Sequence, residues 1–114
     1  KLPDPASLGN AGSFFKNPVV SADKAAALHA DYPELPSWPG PEAGLVKLSA
    51  AWLLDQAGWK GARRGQAGVH AEHALVLVNH GGASGEDIYR LAQEMSVSVL
   101  EKFAIALQPE VRII

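Results

Sequence analysis

The residues best suited to chemistry lie near the two ends of the chain. The run Gly9-Asn10-Ala11-Gly12-Ser13-Phe14-Phe15-Lys16-Asn17-Pro18 combines turn-forming glycines with a hydroxyl and an amide. Glycine lets a backbone turn sharply and approach a ligand closely, while Ser13 and Asn17 can hydrogen-bond it. If 13–17 is extended, Ser13, Phe15 and Asn17 share one face, and Phe14 and Lys16 share the other. Ser13 and Asn17 then stand about 13 Å apart, at roughly 3.3 Å per residue. That reach suits a long ligand held at two points, although the stretch taken alone reads more readily as a turn entering a core strand. Near the other end, Glu110 and Arg112 alternate within Pro109-Glu110-Val111-Arg112 and share a strand face, where a cation can balance a carboxylate. Taken alone, this too reads as a solvated strand end.

Other candidates carry less. His70-x-x-His73 with Glu72 has the look of a metal site but lacks a convincing third ligand, so no metal is expected. Arg63-Arg64 sits in a glycine-rich stretch and reads as a solvated pair. Trp52 and Trp59 read as packing residues, each burial contributing on the order of 1.5–3 kcal/mol.

The elements that must position these groups follow from caps and punctuation. Residues 1–12 read as loop and 13–17 as a strand. Ser21 caps a helix that closes before Pro33. Pro33, Pro36, Pro39 and Pro41 predict an irregular surface loop over 31–44, around Trp38. Leu45-Val46-Lys47 reads as a short strand, and Ser49 caps a helix ended by Gly58. Residues 61–68 read as a loop, and the apolar run 74–79 as a central strand covered on both faces. Ser84 and Asp87 form a capping box for the longest helix, with Ile88, Leu91, Ala92, Met95, Val99 and Leu100 on its apolar stripe. Residues 103–107 and 111–114 alternate like strands, interrupted at Pro109. No glycine-rich phosphate turn is expected after a strand, which argues against a dinucleotide-binding unit of the Rossmann kind. The expected architecture is α+β: a small mixed sheet packed with about three helices, the whole of 1–114 forming one domain.

Composition agrees with a globular domain. Of 114 residues, 47% are hydrophobic and 19% charged, and the formal net charge is −2. Nothing in that balance points to nucleic acid or to an acidic membrane surface. The absence of cysteine removes disulfide and thiol chemistry and fits a cytoplasmic setting. No apolar run approaches the roughly 20 residues of a membrane span. The opening Lys1-Leu2-Pro3-Asp4-Pro5 reads like a connection entered from elsewhere, so the chain is expected to be an excised domain.

Four segments, in order, resemble the C-terminal domain of the UDP-N-acetylenolpyruvoylglucosamine reductase family. They are the decapeptide 9–18; Lys47-Leu48 with Ala51-Trp52-Leu53-Leu54-Asp55-Gln56 and Lys60-Gly61; Val69-His70 with Ala74 to Asn79; and Leu107-Gln108-Pro109-Glu110-Val111-Arg112. The Gly-Asn-Ala-Gly-Ser form is similar to the longer, type I branch. The resemblance implies an FAD-dependent oxidoreductase of peptidoglycan precursor synthesis, with the flavin held mainly by an N-terminal region that this chain does not include. NADPH would reduce the flavin, and hydride would then pass to the enolpyruvyl ether of UDP-N-acetylglucosamine, giving UDP-N-acetylmuramate. The resemblance further implies that Ser13 is the proton donor and Glu110 the catalytic carboxyl, with Gly12 and Arg112 beside the cofactor. It assigns Lys1, Asn17, Trp38 and His73 to the substrate. The family more often has Tyr and Gln where Trp38 and His73 stand. The isolated chain is expected neither to retain FAD nor to turn over. The alternative reading is a non-catalytic module that binds a nucleotide sugar or another anion.

Overall fold

A computed structural model describes residues 14–109 of the chain. The order of elements is β1 (Val19–Ser21), α1 (Ala22–Asp31), β2 (Ser37–Pro39), β3 (Leu45–Leu48), α2 (Ala50–Gln56), β4 (Arg63–Arg64), β5 (Ala67–Val69), β6 (Leu77–Asn79) and α3 (Gly85–Phe103). The fold is α+β. Its strands form two antiparallel sheets, β1-β3-β2 and β4-β5-β6. Three helices pack with them, and among the described residues none is long and apolar enough to cross a membrane.

The helix starts follow their caps. Ser21, Ser49 and Ser84 each accept a hydrogen bond from a backbone N–H three residues on, at Lys24, Trp52 and Asp87. The Asp87 carboxylate accepts in return from Ser84 N–H at 3.0 Å, completing the box. Helix α3 buries Ile88, Leu91, Ala92, Met95, Val99 and Phe103, whereas Leu100 is exposed. At roughly 100° per residue, Leu100 falls about 120° from Ile88 and Phe103 only about 60°, so Phe103 completes the stripe. Leu48, Leu53, Leu54, Leu77, Met95 and Val99 form the fully buried centre, which the inner face of β3 shares with α2 and α3. Tyr32, Trp52 and Phe103 make an edge-on aromatic cluster joining the ends of α1 and α3 to α2.

Several strand expectations are corrected. The proline-rich stretch holds β2, because β2 is an edge strand and Pro39 sits where no ladder donor is needed. Gly40 closes the hairpin to β3: its N–H donates to Leu45 O at 3.0 Å, and a Cβ there would lie 2.7 Å from the Leu45 carbonyl. The stretch 61–68 contains β4 and the start of β5. The run 74–79 contributes only Leu77–Asn79, and as an edge strand. A tight turn in which Val76 N–H donates to His73 O consumes its first half. Residues 103–107 form no strand. Helix α3 continues to Phe103, Ala104 turns left-handed at φ 58°, and the chain beyond runs with alternating burial but without a ladder.

A glycine-rich turn does follow a strand, between β6 and α3 at Gly81-Gly82. It is not built for phosphate. The first turn of α3 carries Glu86 and Asp87, and the capping box occupies the amides there, so the chain's own carboxylates stand where an anion would bind.

Candidate functional site

The segment after Ser13 is pinned on both sides. Phe14 N–H donates to Leu75 O at 2.8 Å, and Lys16 N–H donates to Gln108 O at 2.9 Å. Phe15 pairs antiparallel with Pro109. Phe14 and Phe15 are both buried, their rings edge-on at 5.3 Å. This departs from the alternation expected of a strand, since consecutive aromatic rings anchor the segment in the core instead of taking opposite faces. The pairing makes the described residue next to Ser13, Phe14, a close neighbour of the described residue next to Glu110, Pro109. A cleft of about 210 Å³ opens along this seam, lined by Phe14, Phe15, Tyr89, Gln93, Ser96 and Pro109 among others. Lys1, Gly12, Ser13, Glu110 and Arg112 lie outside the described residues.

Asn17 follows the seam. It is exposed, but its Oδ1 accepts from Ala50 N–H at 3.0 Å, the first residue of α2. The first turn of that helix would otherwise have one more unmatched donor. Sequence reasoning assigned Asn17 to a ligand and missed this tether; nothing in the local spacing signals a contact across 33 residues. The amide nitrogen has no partner among the described residues and remains a donor.

Trp38 lies on β2 and is 47% exposed. The register places it opposite Lys47 of β3, which in turn is opposite Val19 of β1. Lys47 was not singled out from the sequence, although its position as the only charged residue of an apolar strand could have marked it.

His73 is exposed at the turn before β6. Its ring lies 5.0 Å from that of His70, whose Nδ1 accepts from Glu72 N–H at 3.0 Å. Among the described residues no group of three His, Cys, Asp or Glu could hold a metal. His73 lines a cleft of about 400 Å³ with Trp52, Asp55, Lys60, Leu75 and Val76. Lys60 is paired there with Asp55 at 3.3 Å. Because Leu75 O also holds Phe14 N–H, this cleft adjoins the pinned segment. The two arginines of β4 are exposed, and Arg64 pairs with Glu94 at 3.2 Å and lies over the Trp59 ring at 5.1 Å. Its guanidinium is thus engaged by the protein itself.

The structure therefore brings the described candidates onto connected ground. Asn17, the β1-β3-β2 face and the His73 cleft all border the segment that begins at Phe14. Comparison with known proteins gives the pattern its family. Residues 4–114 match the family model described as UDP-N-acetylenolpyruvoylglucosamine reductase, C-terminal domain. The chain belongs to this family. Over 114 residues it is 57% identical to the UDP-N-acetylenolpyruvoylglucosamine reductase of Xanthomonas oryzae pv. oryzae (strain KACC10331 / KXO85), covering 100% of this chain and 34% of that protein. It is 60% identical over 110 residues to the reductase of that name from Chromobacterium violaceum, covering 96% of this chain and 32% of the relative. The protein of that name from Porphyromonas gingivalis (strain ATCC 33277) is 55% identical over 114 residues, covering 100% and 33%. The chain thus spans about a third of the length of the curated relatives it matches.

Proposed function

We propose that this chain is the substrate-gripping part of an NADPH-dependent reductase that converts UDP-N-acetylglucosamine enolpyruvate to UDP-N-acetylmuramate in peptidoglycan precursor synthesis. The observation that carries the reading is the seam in which Phe15 pairs with Pro109. It joins the backbones that lead to Ser13 and Glu110, the residues matching the family's proton donor and catalytic carboxyl. The family name supports the substrate, and the absence of cysteine supports a cytoplasmic place.

A flavin, when bound, would supply the hydride chemistry linking NADPH to the substrate. The described residues do not fit it as its holder: the one glycine-rich turn leading from a strand into a helix is filled by Glu86 and the Ser84–Asp87 box. That task falls to the N-terminal region of a full-length protein. The role of this chain is at the other end of the reaction. Ser13 delivers a proton to the carbon bearing the ether oxygen. A serine hydroxyl is a weak acid, but an enolate carbon is a strong base, so the transfer runs downhill. Glu110 takes the family's role of the carboxyl paired with the substrate carboxylate; two carboxyl groups close together favour protonation of one, which would let Glu110 donate a hydrogen bond to the developing enolate. The family resemblance gives Lys1 and Asn17 as the diphosphate contacts, a role in which ammonium and amide donors both match anionic oxygens. The family resemblance gives Arg112 and Gly12 roles on the flavin side, and Trp38 and His73 roles on the nucleotide side.

The test is Ser13→Ala in a full-length protein carrying this chain. Product formation should fall by at least roughly 10²-fold, the low end of general-acid contributions, while reduction of the flavin by NADPH survives. Near-normal product formation would instead favour a module that binds nucleotide sugar without taking part in chemistry.

A further inference from the structure

Helix α3 carries two half-buried serines whose hydroxyls are used differently. Ser98 Oγ donates to Met95 O at 2.8 Å, within its own helix, and accepts from Trp59 Nε1 at 2.6 Å. A carbonyl of the preceding turn is the ordinary outlet for a mid-helix serine. Ser96 does not use it. Its Oγ donates instead to Leu107 O at 3.3 Å, off the helix and 11 residues further along the chain.

Leu107 belongs to the segment that runs from the C-cap at Ala104 toward Glu110. Ile105 and Leu107 are buried while Ala106 and Gln108 are exposed, the alternation of an extended chain. No ladder holds it over 104–108. Buried side chains set how deep such a segment sits, whereas directional bonds to its carbonyls set how its peptide planes are turned. Successive carbonyls of an extended chain point to opposite sides. Gln108 O accepts from Lys16 N–H at 2.9 Å on the side of the Phe14–Lys16 segment, and Leu107 O accepts from Ser96 on the side of α3. Glu110 follows Leu107 by about 10 Å of extended chain, at roughly 3.3 Å per residue. Ser96 also lines the cleft along the seam, with Phe15 and Pro109.

We propose that Ser96 is a positioning residue for Glu110. Helix α3, 19 residues long and buried along one face, is the reference against which the segment is aligned, and the Ser96 hydroxyl transmits that alignment to the backbone presenting the carboxyl. Without it the carbonyl of a buried residue turns toward another donor, because a buried acceptor left unpaired is costly, and the chain that follows turns with it. This rests on the catalytic reading of Glu110 above and adds to it the group that aims the carboxyl.

The experiment follows the two half-reactions of a full-length protein carrying this chain, by stopped-flow flavin absorbance, with NADPH and with UDP-N-acetylglucosamine enolpyruvate at saturation. In Ser96→Ala the substrate-reducing step should slow by about tenfold, short of the roughly 10²-fold that a 1 Å misplacement can cost. Flavin reduction by NADPH should be unchanged, which also shows that the variant is folded. Ser96→Thr, which keeps the hydroxyl, should restore the rate to within a few fold, and Ser98→Ala, on the same helix, should leave it unaltered. In a Glu110→Gln background Ser96→Ala should cost no more than about twofold, because a residue that acts through the carboxyl has little left to misplace. A wild-type rate in Ser96→Ala overturns the proposal, and so does an undiminished loss in the Glu110→Gln background, which would mean that the serine only stiffens the domain. A wild-type rate in Glu110→Gln alone would instead overturn the catalytic reading of that carboxyl, an outcome distinct from a silent Ser96 substitution.

Discussion

Asn17 holds α2 with its carbonyl oxygen and, in this account, offers its amide nitrogen to the substrate diphosphate. Two substitutions separate these tasks. Asn17→Ala removes the acceptor at 3.0 Å from Ala50 N–H, on a residue whose side chain is fully buried. Losing a side-chain acceptor at a helix start costs about 0.5–2 kcal/mol, and stranding a buried donor costs about 1–3 kcal/mol. Helix α2 is only 7 residues long and has few other ties in its first turn. A loss of about 1–2 kcal/mol in urea unfolding is therefore expected, together with weakened UDP binding. Asn17→Asp keeps an acceptor and adds a negative charge where the helix dipole favours one. It should remain within about 0.5 kcal/mol of wild type, by the same dipole scale. Its UDP affinity should still fall by at least about tenfold, because the donor is gone and an anion faces the diphosphate. An Asp variant as unstable as the Ala variant would refute the tether, and an Asp variant that binds UDP normally would refute the contact.

Two further predictions concern α3. Ala104 ends the helix at φ 58°, where Lys24 Nζ donates to its carbonyl. A left-handed alanine is strained by about 1–2 kcal/mol, partly offset by the larger unfolded-state entropy of glycine, so Ala104→Gly should gain about 0.5–1 kcal/mol in chemical denaturation; a loss would mean that the alanine methyl packs better than the backbone suffers. The Ser84 N–H, and after it the Ser84 hydroxyl, holds the Asp87 carboxyl below the usual aspartate range. The resulting stabilisation is present above about pH 4 and is lost as pH falls through the lowered value. The stability gap between wild type and Asp87→Asn should accordingly close on acidification, and a gap independent of pH would contradict the cap electrostatics.

The helices were legible because their signals are local. Ser21, Ser49 and the Ser84–Asp87 pair each lie within three residues of the donors that they cap, and Gly58 takes the positive φ that ends α2. The strands were not, because every ladder among the described residues is at most four residues long and is chosen by its partner rather than by its own pattern. Pro39 joins a sheet because β3 offers an edge, and the apolar 74–79 run loses half its length to a turn. Phe103 alternates with Ile105 and Leu107 in burial, yet belongs to a helix. At the site, motif resemblance marked Asn17, Trp38 and His73, but it could not reveal that Asn17 braces α2 or that Trp38 has Lys47 as its neighbour. Both depend on contacts between distant segments.

The central claim is that the hydroxyl of Ser13 and the carboxyl of Glu110 serve one bond in one step. A double-mutant cycle on the substrate-reducing half-reaction, with Ser13→Ala, Glu110→Gln and the pair, measures this directly. Groups acting together in one transition state give strongly non-additive losses, so the double variant should be no more than a few fold slower than the worse single. Losses that multiply would mean that the two residues act apart.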